Sequence, residues 1–293
     1  MTLDQLRIFL AVAERQHVTH AARALNLTQS AVSAAISALE ARHGVRLFDR
    51  VGRGIALTED GRAFMAEARA VLDRAETAAA VLDDLSREPR GRLRIHASQT
   101  VASHWLPPRL MALHDLHPRI EFRMILGNTR QVADAVAEGV ADLGFVEGDV
   151  TQGDLHRQVV ARDQLVLVMS AGHPLEQGAT PAQMSAYRWV LREPGSGTRA
   201  EFEAWLTTQG LSVDALSVAI EMPSNEAVLS AVANSQCLAV LSHRAVASAA
   251  GAGWVRFQPL AGAERRFSVL TDPRRHRTRA IEALLRIATA PEP

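Results

Sequence analysis

Lysine is missing altogether: every one of the 32 basic side chains other than histidine is arginine. A Walker A phosphate loop and a pyridoxal-phosphate enzyme each need a lysine, so both classes fall away. The single cysteine, Cys237, excludes an internal disulfide and a cysteine-based zinc site. No long apolar run and no basic-then-apolar leader is present, which reads as a soluble, cytoplasmic chain that does not enter a membrane. Charge bias is absent too, with 32 basic against 32 acidic residues, so any binding of nucleic acid must rest on local charge. What is present is 293 residues, 47% of them hydrophobic, enough for about two domains with their own cores.

The stretch Thr19 to His43 is organised as two helices with a break. Thr19 caps the first, Ala21, Ala22 and Leu25 form its small apolar face, and Asn26 stops it. Thr28 caps the second, in which Ala31, Val32, Ala35, Ile36 and Leu39 recur at helical spacing and leave Gln29, Ser30, Ser33 and Ser37 outward. An alanine-rich helical hairpin carries the same spacing, and the residues after His43 decide between the two. Gly44 ends the second helix; two apolar runs, Val45 to Phe48 and Ile55 to Leu57, then flank a tip bearing Arg50 and Arg53 beside Gly52 and Gly54. That is a basic β-hairpin wing able to reach phosphate or minor groove. With Leu3, Leu6, Phe9, Leu10 and Ala13 of a preceding helix completing a core, residues 1–58 read as a winged helix-turn-helix. Residues 1–62 hold eight arginines against six acids, an excess of only two, so tight binding calls for a dimer that doubles the contacts.

The runs Leu6-Arg7-Ile8-Phe9, Ala21-Ala22-Arg23-Ala24-Leu25, Thr28-Gln29-Ser30-Ala31-Val32-Ser33, Leu47-Phe48-Asp49-Arg50 and Leu57-Thr58-Glu59-Asp60-Gly61, in that order, resemble the LysR-type transcriptional regulators. The resemblance implies that Thr28, Gln29, Ser30, Ser33, Arg50 and Arg53 meet double-stranded operator DNA. Many members carry a basic or long polar residue after the central serine of the reading helix. Here Ala34 and Ala35 stand there, which shifts base reading to Gln29, Ser30 and Ser33.

From Glu59 to Ser86 there is no proline, and after Gly61 no glycine. Phe64, Ala68, Val71, Ala75, Ala78, Leu82 and Leu85 alternate steps of four and three, an a/d seam for pairing with a second copy. The resemblance implies the same: residues 59–88 as a dimerising linker helix and hinge, in a homodimer or dimer of dimers. Pro89 and Gly91 then free the backbone.

Beyond the hinge, strands and helices alternate. Expected strands are 93–97, 120–126, 142–146, 165–170, 189–192, 217–222, 238–241 and 267–271, which argues a parallel α/β architecture. The resemblance extends here to a two-lobed α/β effector domain, 89–293, like periplasmic solute-binding proteins. Lobe I would span about 92–162 plus 267–293, and lobe II about 163–266. Four strand ends run into hydroxyl- or amide-bearing residues just before a helix: Ser98 with Thr100, Asn128 with Thr129, Ser196-Gly197-Thr198, and Ser224-Asn225. Each alone is an ordinary helix cap. Together they form a cradle for a small anion, to which Arg199 adds a charge unless Glu201 or Glu203 pairs with it. The segment 191–199 and the Gly127-Asn128-Thr129 turn resemble the sulfur- and anion-responsive branch of the family, implying sulfite, sulfate or a similar oxyanion, with a small carboxylate as rival. Where the family often has glycines, this chain has Asn234-Ser235-Gln236-Cys237, a bulkier turn.

Other classes fare worse. Gly195-Ser196-Gly197 is not the nucleophile elbow, Cys237 sits in an apolar run, and His96, His114 and His117 form no ligand set, so no enzyme, cofactor or metal is expected. A transport solute-binding protein would lack the N-terminal DNA-reading segment.

Overall fold

The computed structural model describes residues 1–51, 54–84, 88–150 and 154–290. It comprises two compact units, Met1–Leu82 and Asp83–Pro293.

The first unit opens with α1 (Leu3–Arg15), started by a capping box between Thr2 and Gln5. After α2 (Val18–Ala24), α3 (Gln29–His43) is capped by the Thr28 hydroxyl, which accepts from the Ala31 N–H, and ends at Gly44 in the left-handed region, φ 68°. Asn26 takes a positive φ of 54° in the turn between α2 and α3, the conformation that lets so short a connection reverse the chain. The hairpin pairs β1 (Phe48–Val51) with β2 (Gly54–Leu57) antiparallel, and its first strand starts later than the apolar run suggests. Glu40 of α3 fixes the wing: its carboxylate accepts from the backbone N–H groups of Leu47 and Phe48 at 2.7 and 3.2 Å. Then α4 runs from Glu59 to Asp84.

Phe9 packs against Phe48 and Phe64, ring centroids 5.4 and 4.9 Å apart, so one aromatic knot joins α1, the wing and α4. Val32, Ile36 and Leu39 of α3 are buried with Leu6, Val12 and Ala22. Ala31, expected in the buried stripe, is exposed, and Ala35 is half-buried. The seam of α4 also divides. Phe64 and Ala68 pack into this unit's own core, whereas Val71 is 41% and Leu82 69% exposed; Leu85 lies outside the described residues. The linker helix is therefore not separate from the first 58 residues: its first turns complete their core.

The second unit contains β3 (Gly91–Ser98), α5 (Gln99–His104), α6 (Pro107–Leu116), β4 (Ile120–Gly127), α7 (Thr129–Ala137) and β5 (Leu143–Glu147). It continues through β6 (His156–Ser170), α8 (Pro181–Met184), β7 (Arg188–Arg192), α9 (Gly197–Thr208), β8 (Ser217–Met222) and α10 (Asn225–Ala233). The last elements are β9 (Ala239–Ser242), α11 (His243–Gly251), β10 (Val255–Thr271) and α12 (Arg279–Thr289). Six strands form one sheet in the order β4-β3-β5-β10-β6-β9, and β7 pairs with β8 in a second, parallel pair.

The structure corrects the expected parallel architecture in part, since the large sheet is mixed. Only the neighbours β4–β3 and β3–β5 pair parallel in the large sheet; β10 meets both β5 and β6 antiparallel, and β9 meets β6 antiparallel. The cause is two strands much longer than 165–170 and 267–271 suggest. β6 and β10 pass through both lobes, with register shifts between Pro259 and Glu264 and between Phe267 and Ser268. On one side of that irregularity, Leu93, Ile95, Trp105, Phe145, Phe267 and Leu284 share a core. On the other, Leu165, Leu167, Trp189, Phe202, Trp205 and Leu238 share another.

Candidate functional site

Two surfaces collect the polar residues singled out by sequence. In the first unit, Gln29, Ser30, Ser33 and Ser37 are exposed along α3, as is Arg50 on β1. Ser30 meets the capping Thr28 hydroxyl at 3.0 Å, and Gln29 accepts from the Thr19 hydroxyl at 3.2 Å, which ties the first turn of α3 to α2. Such a polar helix face with no bulky group can enter a major groove. Arg53 lies outside the described residues. His17 and His20, which add to the local basic character in the sequence, stack their rings with centroids 4.0 Å apart at the start of α2.

In the second unit, the helix starts converge. Ser98, Thr100, Thr129, Ser196, Thr198 and Asn225 are all buried. Asn128, Ser196 and Ser224 do serve as caps, accepting from the N–H groups of Gln131, Arg199 and Ala227. Ser98 does not: its hydroxyl donates instead to the carboxylate of Glu147 at the end of β5. Thr129 donates to the Glu147 backbone carbonyl at 3.0 Å. Gly197 seats the start of α9 on the same residue, since a Cβ there would lie 2.3 Å from the Glu147 carbonyl oxygen and 2.4 Å from the Thr129 hydroxyl.

Arg265 lies at the centre, its side chain fully buried. Its Nε donates to Asp163 at 2.8 Å, Nη1 to the Thr198 hydroxyl at 2.9 Å, and Nη2 to the Thr100 hydroxyl at 3.5 Å. Thr100 also accepts from the Asn225 amide at 3.2 Å, and Asn225 in turn accepts from Arg192 at 2.5 Å. Gln99 accepts from the Asn225 backbone N–H at 2.9 Å. A guanidinium has five N–H donors, and only three of those on Arg265 have partners among the described residues, one of them at the limit of a hydrogen bond. The cluster thus offers donor capacity in a desolvated place, where charge-assisted bonds count most.

Arg199 is the sequence-named residue that the site does not receive. It pairs with Glu203 at 2.7 Å and with Glu221, so its charge is already taken on its own side of lobe II. The rim differs from the centre: Arg130 donates its backbone N–H to the Gly195 carbonyl at 3.3 Å, and Asn128 reaches Glu193 at 3.5 Å. Sequence reading missed Glu147, Asp163, Arg192 and Arg265. For Arg265 the one available signal was its place two residues before Phe267, on the same face of the strand if the strand is extended backward. Burial pushes the Glu147 carboxyl above the usual carboxylate range, with Arg265 and Arg192 pulling it back. Among the described residues, no group of three His, Cys, Asp or Glu is placed to hold a metal ion, and no helix is long and apolar enough to cross a membrane.

Comparison with known proteins gives two matching family profiles: residues 3–62 match the bacterial regulatory helix-turn-helix protein of the lysR family, and residues 86–290 the LysR substrate binding domain. The HTH-type transcriptional regulator YeiE of Escherichia coli is 34% identical over 254 residues, covering 86% of this chain and 84% of that protein. Among solved structures, full-length CbnR complexed with its target DNA has a TM-score of 0.72 at 21% identity, over 98% of this chain and 99% of that one. The regulatory domain of Synechocystis PCC6803 CcmR in complex with 2-PG has a TM-score of 0.62 at 22% identity, over 68% of this chain and 96% of that one.

Proposed function

Because the chain belongs to the LysR family of DNA-binding transcriptional regulators, we propose that it reads an operator with α3 and its wing and answers to a small anion in the Arg265 cluster. Gln29, Ser30 and Ser33 then contact base edges, Thr28 sets the helix start, and Arg50 and Arg53 hold phosphate or minor groove. The working division is residues 1–58 for DNA, 59–88 for linker and dimerisation, and 89–293 for the effector, with lobe II at 163–266. A regulator of operator DNA acts in the cytoplasm, as a homodimer or dimer of dimers whose linker helices set the spacing of two reading heads. The similar CbnR bound to its target DNA supports the first half of this reading.

The observation that carries the second half is the convergence of Thr100, Thr198 and Asn225, from three helices, on the buried guanidinium groups of Arg265 and Arg192. An anion fits this set because hydroxyl, amide and guanidinium groups all donate, and because helix N-termini carry partial positive charge. The CcmR domain in complex with 2-PG is a similar fold holding a ligand. The match to the LysR substrate binding domain favours sensing over catalysis. Anion binding shifts the population toward one lobe arrangement and, through the dimer, alters the angle between the DNA heads.

Two measurements test this. Gel shifts with Arg50→Ala and Arg53→Ala should lose a salt-dependent complex that wild type forms. A thermal-shift panel of sulfite, sulfate, phosphate, nitrate and small carboxylates on the full chain should show a rise for at least one member, about 2.7 kcal/mol at ~100 times its Kd. Thr100→Ala or Thr198→Ala should abolish that rise. A flat panel would sink the anion reading, and an unchanged footprint and bend with ligand would sink the mechanism.

A further inference from the structure

Resting on the anion reading above, we infer that Glu147 is the specificity-determining residue of the cleft, selecting small anions that carry their own O–H or N–H donor over anions that can only accept. The relevant class is the hydrogen-bearing oxyanions, typified by hydrogenphosphate and hydrogencarbonate, and the hydroxy- or amino-carboxylates.

The surroundings of that carboxylate set the choice. Glu147 ends β5, is buried, and receives the Ser98 hydroxyl on Oε2. Its own backbone N–H donates to it as well. Its Oε1 takes no side-chain donor among the described residues. The start of α9 in the other lobe closes over it, since a Cβ on Gly197 would stand 2.8 Å from the Glu147 Cγ. The charged groups that act on it are Arg265 and Arg192, which favour its ionised form, and Asp163, which opposes it. Glu147 is therefore walled by β5, by Ser98 at the β3–α5 junction and by α9, and these are the elements that hold the proposed anion donors.

An ionised carboxylate only accepts. Any ligand atom that enters this cluster beside it either brings a hydrogen or sets two acceptors against each other in a desolvated place. The second arrangement is costly, because a buried acceptor without a donor keeps its whole desolvation penalty and like charges add to it. Burial favours the neutral form of this carboxyl, so the choice operates once Glu147 has given up its proton, at pH above its raised pKa. The donors around it answer to the rest of the ligand: Arg265, Thr198 and Thr100 take the acceptor oxygens, while Glu147 takes the proton-bearing one. Two opposite demands within one cluster define a ligand with both kinds of atom.

Hydrogenphosphate and sulfate make the cleanest test, because at mildly alkaline pH both are tetrahedral dianions that differ by one hydrogen. Titration calorimetry on the full-length protein should give hydrogenphosphate at least roughly a hundredfold tighter than sulfate, as expected where a site built to bond a hydrogen meets an analogue without one. Hydrogencarbonate should likewise outbind nitrate, and glycolate outbind acetate. Glu147→Gln keeps the shape and supplies an amide donor, so sulfate should tighten, hydrogenphosphate weaken, and their ratio fall to about tenfold or less. Equal binding of sulfate and hydrogenphosphate by wild type overturns this inference and leaves the anion reading standing. Failure of every anion to bind overturns both. The wild-type pairs decide the matter alone if the variant does not fold.

Discussion

The same residue types, serine, threonine and amide, do opposite work in the two units. On α3 they are exposed: the side chains of Gln29 and Ser30 bond to the nearby Thr19 and Thr28 hydroxyls, and Ser33 faces solvent. At the strand ends of the second unit they are buried: Ser98, Thr100, Thr198 and Asn225 are already bonded to Glu147, Arg265 and Arg192. An exposed hydroxyl left without a protein partner costs almost nothing, whereas a buried one without a partner costs about 1–3 kcal/mol. The reading helix can thus be changed with little effect on folding. The cluster cannot, because its polar groups are already bonded to one another within and between the lobes.

The largest test of this contrast is Arg265→Ala. It leaves the buried Asp163 with the Ser242 hydroxyl at 2.9 Å and the more distant Arg244 at 3.9 Å, and breaking such a pair should lower stability by about 3 kcal/mol, read as a fall in the urea midpoint. Arg50→Ala, on the exposed wing, should leave the same midpoint within about 0.5 kcal/mol. If both variants unfolded alike, the contrast would be wrong. Next come Gln29→Ala and Ser33→Ala. Each should weaken operator binding by about 1–3 kcal/mol in a fluorescence titration while the melting curve stays put. Smaller still is Thr198→Ala, which removes one acceptor from Arg265 and should cost about 1 kcal/mol, with Thr198→Ser restoring most of it.

The subtlest test is by pH. Glu147 has a raised carboxyl in the folded chain, so the folded state keeps a proton that the unfolded state releases. Stability from this group is present at acid pH and is lost as pH rises from the ordinary carboxylate range through the raised value. The gap in melting temperature between Glu147→Gln and wild type should therefore widen, in favour of the variant, as pH rises. His173 has the reverse sign. Burial lowers its pKa, and its ring accepts from the Leu175 N–H while its other nitrogen lies 3.2 Å from the Gln236 carbonyl. Its contribution should be lost as pH falls below the ordinary histidine range, and His173→Gln should remove that dependence.

How legible each part was in the sequence depends on distance along the chain. The caps at Thr28, Asn128, Ser196 and Ser224 and the stop at Gly44 rest on partners within about one helical turn, so a reader of neighbours finds them. The Ser98–Glu147 bond spans 49 residues and the Arg265–Asp163 pair 102, and no local pattern announces either. The long strands β6 and β10 escaped for a different reason. Stretches of them, such as His156 to Gln158 at the start of β6 and Glu264 to Arg266 in the middle of β10, are rich in charged and polar side chains and carry no strand pattern, although these residues are paired across the ladder. Arg199 misled because a cation just inside a helix start suits an anion site on paper, while Glu203 one turn on and Glu221 across the strand claim it first.

Where β6 and β10 run side by side, Arg162 faces Arg266 across the ladder, and Asp163 faces Arg265. The chain therefore leaves for lobe II and comes back from it at adjoining points, like the two ends of an inserted cassette. Everything between them hangs from one doorway, and the buried Asp163–Arg265 pair is its latch. The segment between residues 163 and 265 is thus exchangeable in principle as a single piece, and such a graft would keep the lobe I side of the cluster, Ser98, Thr100 and Glu147, as it is.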